Sequence, residues 1–240
     1  MCEKRKVAVF VEGQTELVFV REMLLKWYSY SQIGIACIAL HGGKEIPVEY
    51  DFGDSDQDYF FQIINVGNDN SVLSNMLKRA KSLMACGFCA IIGLRDMFCD
   101  QYHKLSQRTI KDDINNRFYN AACDEIKQYD FADRLILCFA IMEVEAWILG
   151  MSQCIHEKLN VSDFSRVFDE SCDPEVTIYH PANVINDIFG LVGKSYDKHN
   201  TDVNSIVSFL EKKDFQDLYK SGKCESFRLF LDALLGTDIN

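Results

Sequence analysis

Three acidic residues close apolar runs: Glu12 directly after Val7–Val11, Asp96 one residue (Arg95) beyond Phe88–Leu94, and Glu143 directly after Leu135–Met142. Each has a second acid close by, Glu16, Asp100 and Glu145 respectively. If the runs are parallel strands, their carboxyl ends share one sheet edge, where open α/β folds gather functional groups. Carboxylates crowded there repel, and stay ionised at modest cost only with a cation between them. An all-oxygen ligand set selects a hard ion, Mg²⁺ or Mn²⁺, over zinc. Such an ion commonly completes its shell with substrate phosphates, so the expected chemistry is phosphoryl transfer or phosphodiester hydrolysis. The competing explanation is electrostatic: Glu16 and Glu145 each fall in an expected first helical turn, where an acid complements the helix dipole.

Weaker signals surround this set. Lys194, Tyr196, Lys198, His199 and Arg228 offer donors to a phosphate, with a solvated polar face as the alternative. Of these, Lys194, Lys198 and Arg228 are the candidate phosphate-binding residues. His41-Gly42-Gly43-Lys44 lacks the spacing of a phosphate-cradling P-loop and reads as a turn. Cys86 and Cys89 have CxxC spacing, but no second pair follows at zinc-site distance, and Cys89 is expected to start a buried strand. No nucleophile elbow or other local signature of Ser-His-Asp chemistry occurs.

The acids need elements to hold them. Val7–Val11 is a continuous β-branched and aromatic run, the pattern of a strand buried on both faces. Gly13 breaks it, Thr15 is the expected N-cap, and Leu17, Val20, Leu24 and Tyr28 recur at helical spacing. Further strands are expected at Ile33–Leu40 and Phe60–Val66, with a long Gly- and Asp-rich loop between them. Helices are expected at Val72–Met84, as one long element over Ser106–Tyr129, and from Glu143 onward. Strands alternating with helices imply a mostly parallel sheet covered on both faces. Past about Gly150 the strand signal ends, and 181–192, 202–213 and 225–235 read as helices. The expected organisation is an α/β domain over 1–150 with a helical annex, 151–240, packed on it.

Composition agrees with a globular chain: of 240 residues, 48% are hydrophobic and 25% charged, with only 3 Pro. No apolar stretch approaches the ~20 residues of a membrane span and no secretory signal opens the chain. A cytoplasmic location with reduced thiols is therefore expected for the 10 cysteines. The net charge of −11 lacks the bulk basic surface of a protein that grips nucleic acid alone. Basic residues would have to be localised, a divalent metal bound, or a basic surface supplied by a partner.

Val-Ala-Val-Phe-Val-Glu-Gly-Gln-Thr-Glu (7–16) resembles the opening motif of TOPRIM-like proteins, in which a hydrophobic strand delivers a glutamate followed by glycine. Ile-Ile-Gly-Leu-Arg-Asp (91–96) stands where that fold has its later acidic strand end. Met-Glu-Val-Glu-Ala-Trp-Ile-Leu (142–149), the most specific block, is similar to a TOPRIM-like family of unknown function often encoded beside ABC- or AAA-type ATPases, pairs found in anti-phage systems. Lys-Ser-Tyr-Asp-Lys (194–198) and Glu-Ser-Phe-Arg-Leu-Phe-Leu (225–231) resemble its closing elements. The resemblance implies a TOPRIM-like sheet, with Glu12 as general acid/base or metal ligand, Asp96 as a Mg²⁺ ligand, and Glu143 and Glu145 completing the site. A standard TOPRIM carries Asp-x-Asp, whereas Met97 and Phe98 follow Asp96 here and the next acid is Asp100. Asp100 substitutes only if its loop bends back.

The leading expectation is a Mg²⁺- or Mn²⁺-dependent nuclease subunit acting on DNA or RNA beside an ATPase partner in anti-phage defence, with self-association left open. Its chief rival is a TOPRIM-derived scaffold or sensor that binds an ATPase and has lost catalysis. A phosphatase or receiver-like pocket is a third reading. The first requires an Asp directly after the first strand, where this chain has Glu12. The second wants a Lys where it has Glu143.

Overall fold

The computed structural model describes residues 4–68, 71–161, 163–198 and 200–236. Its centre is a six-stranded sheet formed by β1 (Arg5–Val11), β2 (Ile33–His41), β3 (Lys44–Pro47), β4 (Tyr59–Asn65), β5 (Ala90–Asp96) and β6 (Leu135–Ala140). The strand order is β3-β2-β4-β1-β5-β6, and every pair is parallel except β2 with β3. This is the expected mostly parallel α/β fold. β1, β5 and β6 are adjacent and parallel, so their carboxyl ends, each leading to an acid, open on one edge.

The apolar runs explain why these strands lie inside. Along β1, Val7, Val9 and Val11 enter one core while Ala8 and Phe10 enter the other. The first face is covered by α1 (Gln14–Trp27) and by the C-terminal helices. The second is covered by α2 (Val72–Ala85) through Val72, Met76 and Ala80. A Cβ on Gly93 of β5 would come 2.3 Å from the Met76 sulfur, so glycine lets α2 sit this close. Beyond β5 lie α3 (Asp100–Ser106) and α4 (Asp112–Ile126), then a single 3₁₀ turn at Ala132–Arg134 before β6.

After β6 the described chain is helical: α5 (Glu145–Gly150), α6 (Ser152–Leu159), α7 (Phe164–Val167), α8 (Pro174–Thr177), α9 (Pro181–Gly190), α10 (Asn200–Phe209), α11 (Lys212–Ser221) and α12 (Glu225–Leu235). The same core runs from the sheet into these helices. Trp147 of α5 lies 5.8 Å from Phe19 of α1 and 5.4 Å from both Phe227 and Phe230 of α12, ring centroid to centroid.

Several expectations are corrected. The helix expected over Ser106–Tyr129 begins only at Asp112 and ends at Ile126; Ser106 instead closes the separate helix α3, after which Gln107 and Arg108 turn to φ 54° and 62°. The helix expected over 202–213 ends at Phe209, and α11 restarts behind a reciprocal cap between Glu211 and Asp214. Thr15 is not the N-cap of α1: extended Gly13 holds that position, and Thr15 is buried inside the helix. Part of the Gly- and Asp-rich loop is β3, joined to β2 through Gly42 and Gly43 at φ 58° and 81°, the left-handed pair a two-residue hairpin prefers. Cys89 is exposed and precedes β5 rather than starting it. Among the described residues the cysteines are free, and burial pushes the thiols of Cys37 and Cys138 up to about 12. No helix among the described residues is long and apolar enough to cross a membrane.

Candidate metal centre

β1 ends at Val11, and half-buried Glu12 follows at once. Its Oε2 accepts the Asp96 backbone N–H at 3.2 Å, tying the ends of β1 and β5 together. Asp96, the last residue of β5, is 7% exposed, and its Oδ1 accepts the Val144 N–H at 3.1 Å. β6 stops two residues earlier than expected because the chain turns sharply at Met142. The Glu143 N–H donates to the Ile141 carbonyl at 3.1 Å, with Met142 at φ 65°. A non-glycine residue held there is a local strain that surrounding structure must enforce. Its effect is to aim Glu143 and Glu145 back over the sheet edge.

Asp96, Glu143 and Glu145 each offer a carboxylate oxygen, and these lie within 4.8 Å of one another. All three side chains are buried, Glu145 completely. They form an acidic triad that can hold a metal ion. Glu143 Oε2 accepts the Ala182 N–H at the start of α9, at 3.2 Å. Glu145 Oε1 accepts the Tyr196 hydroxyl at 2.9 Å. Lys198 bridges the two glutamates, its Nζ 2.7 Å from Glu143 Oε1 and 3.3 Å from Glu145 Oε1. Glu145 Oε2 is buried with no hydrogen-bond partner among the described residues.

Glu16, in the first turn of α1, joins this group. The dipole reading is incomplete, because the side chain is only 5% exposed and faces Glu145 and Asp96. Burial, then the Glu145 charge, pushes its carboxyl from 4.5 up to about 7, against the amides of Glu16 and Gly13 and the Lys198 charge. Asp96 is held well above the usual carboxylate range by burial, then by Glu16, Glu12 and Glu145. Glu145 is raised by burial, with Lys198 and the Tyr196 hydroxyl opposing. Burial alone would lower Lys198, but Glu145 and Glu143 more than offset it and drive its ammonium up. The centre therefore lacks positive charge.

The chain matches the model of the family described as Domain of unknown function (DUF4276) over residues 11–235. It belongs to this family. No curated protein and no solved structure matches it. The family region begins at the end of β1 and closes with α12, so it takes in every residue of the centre.

The candidate residues thus separate. Glu12, Asp96, Glu143, Glu145 and Lys198 meet at one edge. Asp100 is exposed at the start of α3 and lies outside the triad. Lys194 is exposed after α9. Arg228 is held along α12 by Glu225 and Asp232. His199 lies outside the described residues. Sequence reasoning did not bring Tyr196 to Glu145, nor the Val144 and Ala182 amides to Asp96 and Glu143. Backbone donors leave no residue-type signal.

Proposed function

We propose that this protein is a metal-dependent phosphodiester hydrolase of TOPRIM type, using Mg²⁺ or Mn²⁺ at the Asp96–Glu143–Glu145 triad to cut nucleic acid. The observation that carries the reading is the completely buried Glu145 Oε2, left without a partner among the described residues inside a cluster of carboxylates. A buried ionised oxygen with nothing to meet is costly, and a cation is the partner that removes the cost. The donor set is oxygen alone, which fits a hard divalent ion. When bound, such an ion supplies Lewis-acid polarisation of a phosphate ester.

The chain's own residues do the rest. Asp96, Glu143 and Glu145 are the ligands, held in place by the Val144 and Ala182 amides and the Tyr196 hydroxyl. Glu12 locks the β1 and β5 ends and stands at the mouth of the site as general acid/base. Lys198 brings an ammonium to where an anionic substrate would arrive, its side chain about one-third exposed. Because Asp96, Glu145 and Glu16 are all raised, ion binding releases protons and tightens as pH rises. The net charge of −11 fits a subunit that borrows its grip on nucleic acid from a partner, an ABC- or AAA-type ATPase in an anti-phage pair by the resemblance of its motifs.

The test is cleavage of plasmid DNA, single-stranded DNA and RNA with Mn²⁺, comparing wild type with Asp96→Asn and Glu12→Gln. Cleavage that disappears in both variants supports the reading; undiminished cutting by either overturns it. One observation favours a non-catalytic scaffold instead: Lys198 already pairs with two of the acids. Folded wild-type protein that takes up no Mn²⁺ would select that reading.

A further inference from the structure

We infer that the centre takes one divalent ion rather than two, with Lys198 standing permanently in the second cation's place. The inference rests on the metal-dependent reading above and concerns how that site is filled. Two-ion phosphodiester sites hold their metals about 3.5–4 Å apart with carboxylates between them. This cluster has carboxylates enough for such a pair: Glu12, Glu16, Asp96, Glu143 and Glu145 converge on one sheet edge. Its oxygens, however, are divided unequally. Glu143 Oε1 and Glu145 Oε1 both face the Lys198 ammonium, at 2.7 and 3.3 Å. Glu145 Oε2 is left without a partner among the described residues, while Asp96 is bonded through Oδ1 to the Val144 amide. One side of the cluster is already bridged by a cation, and the orphaned oxygen marks the position left for an ion.

The lysine is built in rather than passing by. It ends the segment Lys194–Lys198 between α9 and α10. Tyr196 anchors that segment, 4% exposed, by donating its hydroxyl to Glu145 and its N–H to Asn186 Oδ1 at 2.9 Å. The Asp197 N–H donates to Asp202 Oδ2 at 3.0 Å, and Lys198 itself sits at φ 57°. A residue without glycine's freedom is held in the left-handed region behind a segment fixed by the Tyr196 and Asp197 contacts. An ammonium has three donors; one is engaged by Glu143, and Glu145 Oε1 stands within ion-pair distance. A further donor can meet an oxygen of an incoming phosphate ester, a contact a divalent ion would make in a two-metal site.

Counting bound Mn²⁺ by calorimetry and electron paramagnetic resonance on the full chain tests this. Wild type and Lys198→Arg are expected to bind one ion per chain. Lys198→Met is expected to admit a second ion, or to bind the first at least tenfold more tightly. Should Lys198→Met fail to fold, Lys198→Gln, neutral but still able to donate to Glu143, takes its place. Two ions in wild type, or a neutral variant with unchanged count and affinity, would overturn the inference while leaving the metal reading intact. No ion in any of these proteins would overturn the metal reading and this inference with it.

Discussion

α5 carries two residues, two positions apart, into two buried acid centres of opposite character. Glu145 enters the triad, where its neighbours are other carboxylates, one ammonium and the Tyr196 hydroxyl, and one oxygen is left over among the described residues. Trp147 enters a second centre built on Glu175 of α8. There Glu175 Oε1 accepts the Trp147 indole N–H at 2.7 Å and the Ser226 hydroxyl, and Oε2 accepts the Ser226 N–H at 3.0 Å. The Ser226 hydroxyl also accepts the Ile141 N–H at 3.3 Å, so this network pins the turn after β6. Both carboxyls are buried and raised. The Glu175 donors are neutral and satisfy both oxygens. A fully satisfied buried acid is a fastening, and an unsatisfied one is a socket.

The largest effect expected from breaking this contrast is on stability. Glu175→Ala strips the acceptor from three buried donors and opens a cavity, a loss of about 4 kcal/mol in urea unfolding. Mn²⁺ affinity of the folded remainder should change by less than about tenfold, below the usual effect of losing a group that supports a metal ligand. If instead stability holds and Mn²⁺ binding collapses, Glu175 belongs to the site and the distinction fails.

The reverse pattern is expected of Glu145→Gln and Asp96→Asn. Either should weaken Mn²⁺ at least about 100-fold, roughly 2.7 kcal/mol of lost ligand stabilisation. The ion-free protein should be more stable by about 1 kcal/mol, because a buried like-charge contact is relieved. Thermal melts with and without Mn²⁺ read both effects at once. A destabilised ion-free variant would mean that the triad is held together for structural reasons.

These two centres also show how unevenly the molecule could be read from its sequence. Continuous apolar runs made β1, β2, β4, β5 and β6 legible, together with three of the acids, because local hydrophobicity decides a buried parallel strand. β3 was missed because it is four exposed residues beyond a Gly-Gly turn, with no core-facing alternation. The late start of α4 and the short α3 before it were missed because Gln107 and Arg108 adopt left-handed backbone without a Gly or Pro to announce it. Glu145 entered the site only through the resemblance; its residue-level reading left a helix-dipole acid as the alternative, since its burial depends on α9 and Tyr196, both distant in sequence. Glu175 gave no signal, because what makes it special is Trp147 and Ser226, 28 and 51 residues away.

A more gradual effect comes from pH. Burial raises the Glu175 carboxyl from 4.5 to about 7, against its Ser226 and Trp147 donors. Its folded form thus holds a proton more tightly than the unfolded chain does. The resulting stability is fully present below about 4.5 and is lost as pH rises towards 7. Glu16, raised over the same window, acts in the same direction. A tenfold difference in proton affinity between the folded and unfolded chain is worth about 1.4 kcal/mol, so ion-free protein should lose up to about 1.4 kcal/mol per pH unit for each of these two groups as pH rises from about 5 towards 7. Mn²⁺ should abolish the Glu16 share and leave the Glu175 share, whereas Glu175→Gln should do the opposite. A slope untouched by Mn²⁺ would place all of the titration in the fastening.

The smallest predicted change concerns how the sequence after β1 holds Glu16. Gly13 is extended, at φ −150°, a conformation any residue adopts, so alanine there adds no backbone strain. A Cβ at Gly13 would, however, stand 3.1 Å from Glu16 Oε2, close enough that the carboxylate must move by a few tenths of an ångström. Gly13→Ala should therefore change stability by less than about 1 kcal/mol, the range of an ordinary substitution away from the core. Mn²⁺ affinity should fall a few-fold, because Glu16 is displaced relative to Asp96 and Glu145. The discriminating measurement is a double-mutant cycle with Glu16→Gln. If Gly13 acts only through that carboxylate, adding Gly13→Ala to Glu16→Gln should leave Mn²⁺ affinity where Glu16→Gln alone put it. Additive losses would show that Gly13 serves the turn itself, and that Glu16 is a capping acid standing beside the acidic triad rather than part of the site.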